Sequence, residues 1–432
     1  MKGKGFHILS AVGVSLSPLY PKSPAMPTSA DFFQGFSPAS FQNDFPAGLP
    51  LVRISRGALR RNWFHLASLA EHVPPMAVIK ADAYGHGLEE AAATLLDAGC
   101  RTFAVGSMDE GVLLRAMFTA RGAAGKNGES GGITIVPLLG VLNPKDAASA
   151  VAHNLLPLVS SAEQAAMVDE ARTGSGLLPI AVKVETGMSR FGVRPAQTGE
   201  FVAALRSFPN LRPAYLLSHL ASADDPDQDA FVAAQVARFL EAYNALRAFW
   251  PDIALSLANS AGHLARDIHL AALPPQMSRP GYALYGGNPF AGTCREHLGA
   301  SLLPVMEVAA PVVAVASLAA GQSVSYGATF TAEKDMRIAV IGAGYADGFS
   351  RGFSGRGYVC IRGERCPVLG RVCMQTHIVD VTRVPGVTCN DTAYILGGEG
   401  PGAVPMDELA RTWGTIPYEV FCMLGKNPRV YV

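Results

Sequence analysis

The sequence predicts an α/β fold, a (β/α)8 TIM-like barrel followed by a C-terminal domain of mostly antiparallel strands. Between about residues 76 and 284, short apolar segments alternate regularly with helical stretches. There are about eight such segments, the number that a closed barrel needs. From about Val305 onward, strand-like runs separated by turn residues have little helix between them, a pattern typical of antiparallel sheets. A length of 432 residues is sufficient for two domains, each with its own core.

The first domain opens with Leu51–Ile54, which alternates like an edge strand, and continues with the helical apolar pattern Gly57–His72. Ser107 and Glu110 have the spacing of a capping box, which predicts the start of a helix. The Gly-rich stretch Arg121–Gly132 predicts a surface insertion. Alternation of strands and helices does not show that a sheet closes, so a doubly wound open sheet remains the alternative. The predicted barrel strands are Met76–Ile79, Thr102–Gly106, Ile133–Leu139, Leu155–Val159, Ile180–Val184, Tyr215–His219, Ile253–Leu257 and Met277–Leu284.

The second domain is predicted to begin near residue 298 and to contain two late helices, Met406–Trp413 and Tyr418–Leu424. We therefore divide the chain into an extension (1–49), a barrel (50–297) and a β domain (298–432). The predicted strands of the β domain are Val308–Val315, Arg337–Ile341, Tyr358–Arg362, His377–Val381, Ala393–Leu396 and Arg429–Val432.

The N-terminal extension is rich in Pro, Ser, Ala and Phe without periodicity, which predicts a mostly disordered segment. Lys2 and Lys4 precede the weak apolar stretch Phe6–Val14, which soon breaks at serines and a proline. A poor export signal within residues 1–25 is one interpretation. The weakness of the apolar stretch favours the other, a retained extension on a cytoplasmic protein.

The composition excludes several classes of partner. Lys plus Arg equals Asp plus Glu at 35 each, so no excess charge indicates binding to nucleic acid or an anionic membrane. No apolar run approaches the ~18 residues of a membrane span. The seven cysteines are scattered without a Cys-x-x-Cys pair, which favours buried free thiols of a reduced compartment and no metal site.

The chemistry is expected around the segment AVIKADAYGHG, residues 77–87, where a buried strand ends in Lys80 and a glycine-punctuated loop. A lysine at the C-terminal end of a barrel strand lies where this fold places its active sites. Partial desolvation there lowers the pKa of an amine, which suits covalent bonding to a carbonyl group. Tyr84, four residues later, adds a phenol that could reach a phosphate.

Other strand ends carry polar groups at the same predicted edge. Each group alone has an ordinary structural explanation, but one open face built from several strand ends is how a barrel makes a site. Ser260 and the amides of Gly281 and Tyr282 follow the last strands, where barrels commonly bind phosphate. The residues at these strand ends are Lys183, Arg190, His219, Asn259, Ser260, Arg279, Gly281 and Tyr282.

These segments resemble those of alanine racemases, and the resemblance covers residues 50–432. It implies pyridoxal 5'-phosphate as cofactor, with Lys80 as the lysine that bonds to it. Arg279 would face the pyridine nitrogen with support from His219, and Arg190 would lie near the cofactor's phenolic oxygen and the substrate carboxylate. Lys183 is similar to a lysine that many members carry carbamylated. The resemblance implies that six more residues help to hold the cofactor: Tyr84, Asn259, Ser260, Gly281, Tyr282 and Tyr418.

The β domain resembles the family part that completes the site. Tyr326, in SVSYGATF, is similar to the second base, which the partner subunit contributes in a homodimer with shared active sites. Met374, in GRVCM, is similar to a substrate-contacting residue. Two positions depart from the family pattern: Gln375 stands where aspartate is usual, and Glu185 replaces a commoner aspartate. The residues similar to substrate-access and carboxylate-contacting positions are Tyr345, Arg351 and Arg371.

The resemblance implies that the protein racemises L- and D-alanine with two bases. The reaction would take place in the cytoplasm and supply D-alanine for peptidoglycan. Lys80 would take the α-proton of the D-enantiomer and Tyr326 that of the L-enantiomer. A tyrosine in water, with a pKa near ~10, is a poor base at neutral pH, so a neighbouring cation must assist it. A permanently charged Arg279 at the pyridine nitrogen would discourage ring protonation and with it side reactions.

Three alternatives remain at this point. One is a racemase of broader amino-acid specificity, and a second is a pyridoxal-phosphate amino-acid decarboxylase with a similar barrel. The third is a cofactor carrier without turnover, although single-barrel carriers lack a β domain.

Overall fold

The computed structural model of the protein describes Phe45 and residues 49–70, 73–123, 132–389 and 391–432. Nearly all of the predicted N-terminal extension therefore lies outside the described residues, as do residues 71–72 of the first helical pattern. The predicted insertion Arg121–Gly132 lies outside them from residue 124 to residue 131.

The first part of the chain alternates strands and helices as the sequence predicts. Its strands are β1 (Leu51–Ile54), β2 (Ala77–Val78), β3 (Thr102–Val105), β4 (Thr134–Pro137), β5 (Leu158–Val159), β6 (Leu178–Lys183), β7 (Leu211–Leu217) and β8 (Ala254–Ser256). Its helices are α1 (Arg56–Leu69), α2 (Lys80–Tyr84), α3 (Leu88–Asp97), α4 (Met108–Ala120), α5 (Pro144–Ala152), α6 (Ala162–Glu170), α7 (Thr198–Leu205), α8 (Asp229–Arg247), α9 (Ser260–Leu264) and α10 (Arg266–His269).

Seven of these strands form a closed parallel ring together with one extended segment, residues 276–280. Strands β2 to β4 pair in sequence, and so do β5 to β8. Backbone hydrogen bonds join the two groups on both sides, so the sheet is a closed barrel and the open doubly wound alternative is wrong. The bonds that close the ring are Leu156 N to Ile135 O (2.8 Å), Met277 N to Leu255 O (2.9 Å) and Met76 N to Ser278 O (2.8 Å).

The eighth predicted strand, Met277–Leu284, is shorter than expected. The chain is extended only to Pro280 and then forms a 3₁₀ turn at Tyr282–Tyr285. The amides of Gly281 and Ala283 donate to the Ser260 hydroxyl at 3.1 Å rather than to a neighbouring strand. A side chain of the preceding helix α9 therefore ends the strand, and the bend brings residues 281–282 to the barrel mouth.

β1 corrects a second prediction, because it is not an edge strand. It lies between the first strand of the second domain and the last strand of the chain, antiparallel to residues 306–309 and parallel to residues 429–431. All four of its residues are buried. The N-terminal strand thus belongs to the sheet of the β domain rather than to the barrel.

The β domain is a second closed ring, made of antiparallel strands. Strands β9, β12, β15, β14, β13 and β16 pair around the ring, and β16 returns to β9. Its strands are β9 (Met306–Leu318), β10 (Ser323–Val324), β11 (Phe330–Thr331), β12 (Met336–Ile341), β13 (Tyr358–Ile361), β14 (Glu364–Leu369), β15 (His377–Asp380), β16 (Thr392–Leu396) and β17 (Arg429–Tyr431). Its helices are α11 (Met406–Trp413) and α12 (Pro417–Leu424).

One continuous apolar core extends from the barrel into the β domain. α12 packs against α2, so the C-terminal helix of the chain covers part of the barrel mouth. In the described ranges, no helix is both long enough and apolar enough to cross a membrane.

The seven cysteines are unpaired, but the expectation that they are buried holds for only part of the set. Cys294 and Cys389 are exposed, because they lie in surface loops of the second half. Cys373 and Cys422 are partly buried. The buried thiols are those of Cys100, Cys360 and Cys366.

Candidate active site

A cavity of about 260 Å³ lies at the C-terminal end of the barrel strands, between the strand ends and α12. All ten residues that the sequence assigned to cofactor binding line it. Lys183 and four apolar groups complete much of the wall, and no aspartate or glutamate belongs to it. The lining residues are Val78, Lys80, Tyr84, Gly106, Leu138, Leu139, Lys183, Arg190, Phe191, His219, Asn259, Ser260, Arg279, Gly281, Tyr282 and Tyr418.

The loop after Lys80 is a single left-handed helical turn. Residues 81–84 have φ between 53° and 55°, although none of the four is glycine. Left-handed backbone costs an L-residue roughly 1–2 kcal/mol, so the surroundings must hold this turn in place. Glu110 accepts a hydrogen bond from the Ala81 amide at 2.8 Å, and Asp82 both accepts from the Leu88 amide at 2.7 Å and pairs with Arg429.

His86 holds the end of the same turn from inside the core. Its Nδ1 lies 3.0 Å from the carbonyl oxygens of Ala83 and Tyr84, so this nitrogen carries the proton and donates. The ring stacks on Tyr285 at 4.3 Å. Burial lowers the pKa of His86 to about 3, so the imidazole stays neutral and serves the backbone rather than proton transfer.

Lys80 projects from this turn into the cavity, and its Nζ lies 5.9 Å from the centre of the Tyr84 ring. Burial lowers the pKa of its amine, and the positive charge of Arg190 lowers it further. A lowered pKa increases the fraction of uncharged amine, which is the nucleophilic form. The environment of Lys80 is therefore the one that the sequence predicts for a reactive lysine.

Lys183, at the end of β6, is a second buried amine in the cavity. Its Nζ lies 5.1 Å from the centre of the Phe191 ring. Burial, together with the charges of Arg279 and Arg190, lowers its pKa to about 7. Near neutral pH much of this amine is uncharged, which is the form that reacts with carbon dioxide to give the carbamate implied by the resemblance.

Arg279 is buried, and its guanidinium is held by neutral oxygens. It donates to the carbonyl and hydroxyl oxygens of Ser256 at 2.6 Å and to the Ser218 carbonyl oxygen. Burial lowers its pKa to about 10, with a smaller contribution from Arg190. At neutral pH the group therefore remains a cation whose orientation is fixed by Ser218, directly after β7, and Ser256, at the end of β8.

His219 lies in the same wall of the cavity, and the support that we expect it to give Arg279 stays a prediction. The acceptors that fix Arg279 come from Ser218 and Ser256, the former directly before His219 in sequence. Burial, followed by the charge of Arg279, moves the pKa of His219 well below its usual value. His219 is thus a neutral ring that fills the space beside the arginine.

Arg190 lies on the loop after β6, and Glu185 organises that loop. The Glu185 carboxylate accepts from the backbone amides of Gly187 and Arg190, the latter at 3.2 Å. Arg190 also lies over the Phe191 ring, 5.2 Å from its centre. The glutamate that departs from the family pattern therefore positions the loop that carries Arg190.

The opposite end of the cavity presents hydroxyl and amide groups. Ser260 Oγ accepts from two amides, so its own hydrogen is available to another acceptor. A Cβ at Gly281 would lie 2.3 Å from the Tyr84 hydroxyl, so only glycine lets this phenol lie over the backbone. Tyr418 stacks on Tyr282 at 4.6 Å.

Asn259 has a local role in addition to lining the cavity. Its side chain accepts from the Gly262 amide at 3.0 Å and donates to the Leu220 carbonyl oxygen at 3.1 Å. It therefore caps α9 and fixes the position of the neighbouring Ser260.

Tyr326 and Met374 do not line the cavity of their own chain. Tyr326 is 71% exposed and Met374 58% exposed. Ser325 Oγ donates to the Arg371 carbonyl oxygen at 2.6 Å, and the Arg371 guanidinium packs over Gly327. These residues form one surface of the β domain, which we call the Tyr326 surface.

The sequence alone did not identify four residues that shape the site. Ser218 and Ser256 orient Arg279, and Asp407 accepts from the Tyr282 hydroxyl at 3.1 Å. Glu110 is hydrogen-bonded to the Lys80 loop. Only Glu110 had a visible signal, the capping box, and that signal indicated a helix start rather than a place beside the cavity.

The sequence matches known protein families and individual relatives over most of its length. The sequence profile described as "Alanine racemase, N-terminal domain" matches residues 54–289, and "Alanine racemase, C-terminal domain" matches residues 305–431. The chain is 46% identical over 383 residues to an alanine racemase of Nitratidesulfovibrio vulgaris (strain DSM 19637 / Miyazaki F). That match covers 88% of the chain and 97% of the relative.

Solved structures agree with the sequence matches. Alanine racemase from Streptomyces coelicolor A3(2) superposes with a TM-score of 0.78 at 30% identity, covering 89% of this chain and 98% of that one. Alanine racemase from Bartonella henselae, solved with covalently bound pyridoxal phosphate, gives a TM-score of 0.76 at 28% identity. This superposition covers 90% of this chain and 100% of the Bartonella henselae chain.

Proposed function

Because the chain belongs to the alanine racemase family, we propose that it uses pyridoxal 5'-phosphate to interconvert L-alanine and D-alanine. It is an isomerase, and the observation that carries the assignment is the cavity itself. Every residue assigned to the cofactor from the sequence lines one space at the barrel mouth.

The residues of the cavity fit this cofactor. Its wall contains four potential cations and no carboxylate, which suits an anionic ligand. At one end, the hydroxyl of Ser260 and the phenols of Tyr84 and Tyr418 are the groups that would hold a phosphate. At the other end, the fixed Arg279 would face the ring nitrogen, and Lys80, which also lines the cavity, would bond to the aldehyde carbon.

Racemisation requires proton transfer at both faces of the substrate Cα. When bound, pyridoxal phosphate supplies an electron-withdrawing ring that stabilises negative charge on that carbon. Lys80 would remove or return the proton on one face through Nζ, and Tyr326 would do so on the other face through its phenolic oxygen. Arg190 would bind the substrate carboxylate as a bidentate partner.

Arg279 would control which reaction occurs. Its guanidinium remains a cation at neutral pH, so it cannot stabilise a proton on a facing ring nitrogen as a carboxylate would. A ring nitrogen facing this cation would stay unprotonated, which would limit how strongly the ring withdraws electrons from the substrate. We therefore expect little transamination or decarboxylation.

The direct test is to follow the loss of optical rotation across a panel of single amino-acid enantiomers. Rapid loss with both alanine enantiomers supports the proposal. Comparable rates with larger amino acids would indicate a broader-specificity racemase, and carbon dioxide release would indicate a decarboxylase. Absence of turnover with bound cofactor would indicate a carrier.

We further propose that the enzyme is a homodimer with shared active sites. Tyr326 and Met374 of the Tyr326 surface are exposed in the single chain. So are two apolar residues near the cavity, Leu139, which lines it, and Ile416, directly before α12. In a two-fold dimer the cavity mouth of one subunit can meet the Tyr326 surface of the other. Such an arrangement would bring Tyr326 and Met374 of one subunit to the substrate of its partner.

Mixing two inactive variants tests this arrangement. Lys80→Ala and Tyr326→Phe subunits, dissociated and reassociated together, should recover activity because each heterodimer contains one intact site. Each variant taken alone through the same treatment is the control. If exchange is complete and activity does not return, both bases come from one chain.

Two further assignments remain proposals. The domain boundary near residue 297 falls between the two matched profiles, which end at 289 and begin at 305. A cytoplasmic location is supported by the unpaired thiols, and fractionation of the producing cells would contradict it if the activity were found outside the cytoplasm.

A further inference from the structure

Glu110 joins the ends of two barrel strands through one carboxylate. Oε1 accepts from the Ala81 amide at 2.8 Å, directly after Lys80, and Oε2 accepts from the Gly106 amide at 2.6 Å. A Cβ at Gly106 would lie 3.0 Å from Glu110 Oε2 and 3.5 Å from Lys80 Cβ. The carboxylate therefore lies directly behind the base of the Lys80 side chain.

The two following βα units show that capping alone does not require this arrangement. At α5, Asp146 accepts from the Leu142 amide at 3.0 Å, within its own loop. At α6 the corresponding residue is the neutral Gln164, which accepts from the Ser160 amide at 2.7 Å. Of these three capping residues, only Glu110 reaches the loop of the preceding βα unit, the loop after β2. Capping a helix requires only one side-chain oxygen and no charge, so the second oxygen and the charge of Glu110 are not explained by capping alone.

We propose that Glu110 is a positioning residue for the reaction: it holds the left-handed turn after Lys80 and places a negative charge behind the lysine. This role rests on the proposed function, because it concerns the residue that bonds to the cofactor. The Ala81 amide is the first donor of a turn made of four non-glycine residues with positive φ. Without the Glu110 oxygen, this donor would lose its partner at the point where the strained backbone begins.

The charge has a second consequence, since Lys80 lies among cations. Glu110 favours the protonated form of Lys80, whereas burial and the two arginines oppose it. Removing the carboxylate should therefore lower the pH at which the Lys80 nitrogen loses its proton. The titratable and charged groups that face Lys80 are Arg190, Arg279, Lys183, His219, Tyr84, Cys422 and Glu110.

The test compares holoenzymes of wild type, Glu110→Gln and the matched cap control Asp146→Asn. The first readout is the midpoint of the pH titration of visible absorption from the cofactor bound to Lys80. The second is the rate of cofactor loss during dialysis. Glutamine keeps the side-chain length but removes the charge and one acceptor. We expect the midpoint to fall by about one pH unit and cofactor loss to accelerate about tenfold, while Asp146→Asn matches wild type in both.

The outcomes separate this role from simple capping and from failure of the proposed function. A Glu110→Gln midpoint and release rate equal to wild type would overturn the proposal, and so would equal changes in Asp146→Asn. If Glu110→Gln does not fold, Glu110→Asp is diagnostic, since it keeps the charge but shortens the reach to Ala81. For Glu110→Asp, faster cofactor loss together with a wild-type midpoint of the absorption titration would support the proposal. A wild-type rate of cofactor loss in this variant would contradict it. A wild-type protein that binds no cofactor would contradict the proposed function instead.

Discussion

Tyr326→Phe should reduce racemisation of alanine by about two to four orders of magnitude, the usual contribution of a positioned general base. The phenol hydroxyl is the only group removed, and the aromatic ring remains. Cofactor binding should be unchanged, because the substitution alters none of the residues that line the cavity of a single chain and are expected to hold the cofactor. Racemisation rates from each enantiomer and the visible absorption of the cofactor measure the two effects separately.

The same variant in deuterium oxide shows which base serves which face. It should exchange the α-hydrogen of D-alanine slowly through Lys80 while L-alanine stays protonated, as NMR of each enantiomer would show. Tyr243→Phe is the control, since it removes a hydroxyl from α8 on the outside of the barrel. Equal exchange from both enantiomers would mean that one group serves both faces, and the two-base mechanism would have to be abandoned.

Lys80→Ala should abolish racemisation, a loss of about four orders of magnitude or more, because one substitution removes both a base and the covalent anchor. The variant should also lose the cofactor readily on dialysis. Borohydride reduction of the wild-type holoenzyme, followed by peptide mapping, should place the cofactor on the peptide that contains Lys80. These measurements do not depend on the dimer proposal.

Two controls accompany that experiment. Lys145→Ala removes an exposed lysine at the start of α5 and should leave cofactor retention and activity unchanged. Lys183, the other amine in the cavity, provides the sharper comparison, because its lowered pKa also makes it reactive. Labelling of Lys183 instead of Lys80 would overturn the assignment.

The strained turn after Lys80 explains why so many surrounding groups contact a short loop. Four residues in the left-handed region cost roughly 4 kcal/mol or more together. Glu110, His86 and the Asp82–Arg429 pair each bind this turn. Arg429 lies on β17, the last strand of the chain. The left-handed turn after Lys80 is therefore held by residues from both domains.

Much of the site could be predicted from the sequence because its signals are local. The apolar period of 2 or 3.6 residues identifies strands and helices, and parallel barrel strands place all their C-terminal ends at one face. Lys80, Lys183, His219 and Arg279 could therefore be assigned to one site without knowledge of any contact. The separate β-rich domain was visible from its turns in the same way.

Contacts between distant segments could not be predicted from local patterns. β1 pairs with residues 429–431, almost the full chain length away, so its own four residues carried no sign of their sheet. Closure of the barrel depends on bonds such as Met76 N to Ser278 O. The oxygens that fix Arg279 also come from other strands. Such partners are selected by packing of the whole chain, whereas propensity and periodicity depend on neighbouring residues alone.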